Sequence, residues 1–261
     1  MIHLKRIQIT SPNHRNYPYN LPLFEGESRL CFTSDVVIIV GDNGSGKSSL
    51  LKLIQDRLHL YEISDPTPHP LIKLDTSTMT LDYYLSKPKG FFFESQKFIN
   101  YITYINNELE ASKEEIKRVD EEYINASDYA KMMAKSPHQK TIYELKNMYS
   151  KDLSKSSHGE SYLDFFSSRI KENQLYLLDE PETPLSVQNQ LTLLSMIMDA
   201  RKHNNQFIIA THSPILSAIP GAQIFEIKDQ TFVETTYEEI SSIKLLKQFI
   251  NHKEQFLKHF E

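Results

Sequence analysis

Residues 41 to 50 read Gly41-Asp42-Asn43-Gly44-Ser45-Gly46-Lys47-Ser48-Ser49-Leu50, and they hold three of the seven glycines in a chain of 261 residues. Glycine inside a regular element costs conformational entropy, so such a cluster points to backbone angles or a close approach that a Cβ would forbid. The flanks say which. Val36 to Val40 is an unbroken, mostly β-branched apolar run, which predicts a strand buried on both faces. From Ser48 onward Leu50, Leu51, Leu53 and Ile54 fall at helical spacing. Strand, glycine loop and helix in that order make a phosphate cradle. The backbone of Gly41, Asn43, Gly44, Ser45, Gly46 and Ser49 surrounds the phosphates, Lys47 reaches the β and γ groups, and the Ser48 hydroxyl is placed to hold Mg²⁺.

Composition bounds the rest. The profile is that of an ordinary globular protein, 39% hydrophobic and 24% charged, and no apolar run approaches the length of a membrane span. The start, Met1 to Thr10, interleaves charged and apolar residues and lacks the apolar core and small-residue cleavage site of a secretory signal. A single cysteine, Cys31, gives no disulfide framework, which fits a reducing cytoplasm, and Cys31 is expected to be a buried small hydrophobe. A net charge of −5 gives no global attraction to nucleic acid. The lysines at 131, 135, 140, 146, 151 and 155 stand against only Glu144 and Asp152, so a local basic surface there is a candidate contact for nucleic acid or an acidic partner.

Along the chain, alternation at Ile2, Leu4, Ile7 and Ile9, continued through Tyr17-Pro18-Tyr19, Leu21-Pro22-Leu23 and Leu30-Cys31-Phe32, predicts short antiparallel strands leading into the Val36 strand. Ser64 to Pro70, with three prolines, reads as a loop. Met79 to Leu85 is predicted to be extended, and Gly90 to Phe93 to be a buried strand end. Phe98 to Tyr149 is rich in lysine and glutamate with scattered apolar residues, which predicts a helical lobe divided at its one proline, Pro137. Leu175 to Asp179 and Phe207 to Ala210 are predicted buried strands on either side of an amphipathic helix, Val187 to Lys202. Glu226 to Glu234 reads as a hairpin turning at Asp229-Gln230, followed by a helical tail from Tyr237.

Two further stretches carry chemistry. Leu175-Tyr176-Leu177-Leu178-Asp179-Glu180-Pro181-Glu182 sets two carboxylates at the end of an apolar strand. After a phosphate loop, the first such acid holds Mg²⁺ and the second polarises a water in line with the γ-phosphate. Ala210-Thr211-His212-Ser213-Pro214 puts a histidine at the carboxyl edge of the same expected sheet, where ligands bind in open α/β folds.

Taken together, the Gly41–Ser48 loop, the Asp179-Glu180-Pro181-Glu182 string and the Ala210–Pro214 string resemble an ABC-type ATPase of the soluble branch, close to small bacterial ATPases related to recombination-repair, SMC-like and overcoming-lysogenization-defect proteins. That resemblance implies an α/β P-loop fold. A mainly parallel core sheet would be flanked by helices, with an N-terminal antiparallel β region and a helical lobe at 98–158 inserted in a single domain spanning 1–261. It also implies that Lys47, Ser48, Asp179, Glu180 and His212 bind or hydrolyse ATP with Mg²⁺. A Q-loop residue should follow the Gly90–Phe93 strand and reach the metal and the attacking water; Gln96 is the first choice and Glu94 the alternative. The family's signature motif should precede the Asp179 strand by one helix, where Ser156-Ser157-His158-Gly159-Glu160 stands. Ser157 and Gly159 match it; His158, Glu160 and Ser156 depart from it. This implies a head-to-tail homodimer with two nucleotides between the subunits, acting on a protein partner or nucleic acid without a membrane component. A role in repair or phage defence goes with that resemblance. Tyr17 or Tyr19 is a candidate to stack on adenine. The altered signature keeps open a dimerisation switch with negligible turnover, while a transport motor is disfavoured because the acidic and histidine strings differ from the transporter forms.

Overall fold

The computed structural model describes residues 1–10, 17–63, 74–147 and 158–258, with the side chains of 146–147 and 158–161 outside the description. In chain order the strands and α-helices are β1 (Leu4–Thr10), β2 (Glu27–Cys31), β3 (Val36–Gly41), α1 (Lys47–Leu58), β4 (Tyr61–Glu62), β5 (Met79–Tyr83) and β6 (Gly90–Glu94). They continue with α2 (Ser95–Glu122), α3 (Asp128–Asn147), α4 (His158–Arg169), β7 (Leu175–Asp179), α5 (Val187–Arg201), β8 (Gln206–Ala210), β9 (Gln223–Lys228), β10 (Thr231–Thr235), α6 (Ser241–Asn251) and α7 (Lys253–Leu257).

The continuous apolar runs form the centre of one seven-stranded sheet, ordered β10-β9-β3-β8-β7-β6-β4. Every pair in it is parallel except the terminal β10–β9 hairpin. Because strand side chains alternate, β3 feeds two cores: Val36, Ile38 and Val40 pack with α2, α4 and α5, while Val37 and Ile39 pack on the α1 side. Burial on both faces is what an unbroken β-branched run satisfies and an alternating one does not. β1 does alternate, with Leu4, Ile7 and Ile9 buried. It lies between β2 and β5 in a separate antiparallel sheet whose apolar face joins Leu50, Leu51, Leu53 and Ile54 of α1. This is the α/β head architecture expected from the sequence.

Three local expectations fail. Tyr17 to Leu23 is not strand: residues 17–20 form a turn and Pro22–Phe24 a single 3₁₀ turn, because prolines at 18 and 22 remove the donors a ladder needs. Cys31 is exposed, since the pairing of β2 with β1 puts Leu30 on the core face and its neighbour on the other. Pro137 does not divide the helical region. It sits inside α3, and the break falls at residues 123–127, where the Ser127 hydroxyl accepts from the Ala130 N–H at 3.3 Å and starts the new helix. α2 and α3 pack mainly on each other. Of the lysines in this region, Lys135 pairs with Asp120 and Lys140 lies 3.8 Å from Glu144. The Ser64–Pro70 loop, Lys151 and Lys155 lie outside the described residues.

Candidate functional site

β3 ends at Gly41, and the chain turns through Gly44 (φ +76°) and Gly46 (φ +102°) into α1. Both angles are left-handed, and a Cβ on Gly46 would lie 2.8 Å from Leu23 Cδ2. The first N–H groups of α1 therefore open into a cleft of about 410 Å³ lined by residues 43–49, with Tyr17, Leu21 and Glu180 on its other walls. Lys47 is almost wholly buried there and donates to the carbonyls of Gly41 (2.8 Å) and Asp42 (2.9 Å). Burial holds its ammonium below the usual lysine range, against the opposing pull of Glu180 and Asp179. A lysine ammonium beside the first N–H groups of a helix suits an anion.

One strand further than its immediate neighbour β8, β7 delivers Asp179 to the same edge. Asp179 is buried and accepts from the Ser48 hydroxyl at 3.1 Å. Burial pushes its pKa up to about 7; the Ser48 hydrogen bond works against this, and the charges of Glu94 and Glu180 add to it. Glu180 then leaves the strand in a left-handed conformation (φ +46°) that turns its side chain into the cleft. Its backbone is held at both ends, the N–H donating to Ala210 O at 2.9 Å and the carbonyl accepting from the Ser95 hydroxyl. After β8, His212 donates its backbone N–H to Glu182 Oε1 at 2.7 Å, and its Nε2 stands 3.7 Å from Glu180 Oε1, beyond a direct hydrogen bond.

The structure thus brings Lys47, Ser48, Asp179, Glu180 and His212 to one sheet edge. It does not bring Gln96 there. β6 ends at Glu94, and Gln96 is already in the exposed first turn of α2 with its amide directed to Asn100 at 3.4 Å. Glu94 is the residue in register with Asp179. The Ser48 hydroxyl and the Asp179 carboxylate, with Glu94 one strand over, are a hard oxygen set that fits Mg²⁺, a cation that keeps few protein ligands and takes the rest from phosphate and water. Tyr17 and Tyr19 part company: Tyr17 lines the cleft, its hydroxyl 2.8 Å from the Ser49 hydroxyl, and Tyr19 is core. Ser156 and Ser157 lie outside the described residues, and Gly159 is helical, within the described part of α4. Sequence reasoning missed Ser95, Lys97 and Glu182. Glu182 was legible as the third acid of its string, whereas Ser95 acts through a carbonyl 85 residues away that no local pattern signals.

A family model described as ABC transporter matches residues 29–183, more than half of the chain. A Haemophilus influenzae protein named molybdate import ATP-binding protein MolC is 23% identical over 244 residues, covering 87% of this chain and 84% of that one. A Pyrococcus furiosus protein assigned by name to the ABC transporter ATP-binding proteins is 27% identical over 188 residues; the match covers 70% of this chain and 65% of that protein, so the chain spans a little under two thirds of it. Among solved structures, the ADP conformation of an ATP-binding cassette of an ABC transporter superposes with a TM-score of 0.51 at 13% identity, over 97% of this chain and 100% of the other, a likeness of fold alone. Among the described residues no helix is long and apolar enough to cross a membrane.

Proposed function

We propose, from the premise that this chain belongs to the ABC transporter family of ATPases and so binds and hydrolyses ATP, that it does so through Lys47, Ser48, Asp179, Glu180 and His212 at one Mg²⁺-dependent site. The observation that carries this reading is the Ser48 hydroxyl donating to Asp179 at 3.1 Å, with Glu180 lining the same cleft as the glycine loop. Ser48 and Asp179 would hold Mg²⁺, which would supply charge neutralisation at the phosphates. Lys47 exchanges its contacts at Gly41 and Asp42 for phosphate oxygens. Glu180, turned into the cleft, takes the proton of the attacking water as ADP leaves. His212, on the same side as Glu180, faces the γ-phosphate. For the Q-loop residue the reading moves from Gln96 to Glu94, supported by the register of Glu94 with Asp179.

In this reading the chain is one ATPase domain with the 98–158 helices inserted, and it closes head to tail as a homodimer over two ATP molecules. Ser157 and Gly159 then lie on the nucleotide of the second copy, an assignment supported by their match to the family's signature motif ahead of the Asp179 strand. The finer assignment is a soluble cytoplasmic ATPase acting on a protein partner in DNA repair or phage defence, resting on the Asp179–Glu182 and Ala210–Pro214 strings. Nucleic acid has weaker support, because Lys135 and Lys140 already face Asp120 and Glu144. A second reading, the ATP-binding subunit of a transporter, is favoured by the names of the relatives.

Nucleotide titration of Lys47→Ala tests the site. The loss of a charge-assisted hydrogen bond is worth about 1.5–3 kcal/mol, so ATP affinity falls roughly 10- to 100-fold. Parental affinity in a folded variant contradicts the assignment. Isolating Glu180→Gln with ATP and identifying co-purifying chains separates the clients: a membrane-spanning subunit gives the transporter reading, a soluble partner the other.

A further inference from the structure

Behind Glu94 stands a chain of charged groups that reaches across three elements. Glu62, on the edge strand β4, is half-buried and receives Lys52 of α1 at 2.6 Å and Lys97 of the first turn of α2. Lys97 in turn lies 2.8 Å from the Glu94 carboxylate. Lys52 is itself fixed, donating to Gln55 Oε1 at 2.9 Å, 3.7 Å from Asp56, and above the Phe92 ring. Against the burial that works to raise it, hydrogen bonds from Lys52 and Lys97 hold Glu62 below the usual carboxylate range. Glu62 is therefore an anchor, and Lys97 is a tether whose two carboxylates sit on different strands.

Glu94 needs such a tether. It is in register with Asp179 on the neighbouring strand, so two carboxylates stand side by side, and like charges in that position repel. Lys97 offsets that repulsion and draws the Glu94 carboxylate in one direction. Two residues earlier in the same turn, Ser95 holds the carbonyl of Glu180, so the root of α2 touches the backbone or side chain of both acids that flank Asp179. We infer that Lys97, clamped by Glu62, is a positioning residue for Glu94: it fixes where the Glu94 carboxylate stands beside Asp179 and thereby sets the divalent-cation dependence of ATP hydrolysis. This rests on the functional reading above. Lys97 does not line the nucleotide cleft, so its effect travels through Glu94.

Two readouts test it: the Mg²⁺ concentration giving half-maximal hydrolysis at saturating ATP, and Mn²⁺ affinity measured by electron paramagnetic resonance with ATP bound in the Glu180→Gln background. The second involves no turnover. Lys97→Met is expected to raise the Mg²⁺ requirement and weaken Mn²⁺ binding about tenfold, the scale on which groups behind a metal ligand act. Nucleotide affinity without metal stays parental, and Lys97→Arg restores the metal response. Glu62→Gln, a near-isosteric change, reproduces the defect, and the double variant is no worse than either single one because both act through one tether. Parental metal dependence in both single variants overturns the inference, as does failure of Lys97→Arg to rescue, or strict additivity. Should Lys97→Met fail to fold, Glu62→Gln alone decides. A parent protein without Mg²⁺-dependent hydrolysis removes the functional reading itself; a parent that hydrolyses, with variants that match it, removes only this inference.

Discussion

At Asp179 burial and the charges of Glu94 and Glu180 together outweigh the Ser48 hydrogen bond, and the result has a measurable pH signature. With a pKa raised to about 7 against a reference of 3.8, the folded, metal-free protein binds a proton that the unfolded chain has released between those values. The native state binds more protons in that window, so its stability falls as pH rises from about 4 to about 7. Bound Mg²⁺ offsets the ionised carboxylate, so its stabilising effect grows over the same range. Thermal melts with ATP, with and without Mg²⁺, are expected to show a Mg²⁺-dependent rise in Tm that increases from pH 5 to pH 8. In Asp179→Asn that dependence is flat; a parental slope in the variant contradicts the assignment. Lys47, Ser48, Asp179, Glu180 and His212 were legible because each sits at the end of a strand or in a glycine loop whose sequence marks it. Gln96 is a case of a different kind. The choice between it and Glu94 depends on where strand becomes helix, and a shift of two residues carries a side chain from the sheet edge to an exposed helical turn.

Among the elements, β6 is held closely to β7 at its first residue. Gly90 begins it with φ +150°, and a Cβ there would lie 1.7 Å from the carbonyl oxygen of Leu175, the residue with which it is in register on β7. Gly90→Ala must push the two strands apart, and it does so in the pair that aligns Glu94 with Asp179. The expected cost is about 3 kcal/mol or more, from backbone strain together with lost strand packing. Denaturant unfolding measures it, and a stability within 1 kcal/mol of the parent, below the usual cost of such strain, counts against the pairing. The strands of the parallel sheet were readable as continuous apolar runs because both of their faces are covered. The helical region was readable as helix but not in its division. Pro137 removes one N–H, which exposed α3 tolerates, whereas the Ser127 cap that begins α3 is a weaker sequence signal than a proline.

For the whole molecule, the α/β class followed from strand, loop and helix at residues 36–54 and from the strand–helix–strand unit at 175–210, and an antiparallel N-terminal region beside the parallel sheet was expected, while the place of β5 in it was not. β5 joins β1 and β2 across more than 60 residues, a pairing that no local pattern specifies. The assembly belongs to this scale. Glu180→Gln with ATP is expected to run as a dimer by light scattering, and Ser157→Arg in that background as a monomer that still binds ATP. A dimer in the second case moves the signature away from Ser157. The central claim is that Glu180 is the base and Asp179 the metal residue of one hydrolytic site, and comparing turnover and ATP affinity in Glu180→Gln tests it most directly. The account predicts parental or tighter ATP binding with hydrolysis slowed about 10²–10⁴-fold, the usual worth of a general base. Parental turnover in Glu180→Gln, or a loss of ATP affinity equal to that of Asp179→Asn, contradicts it.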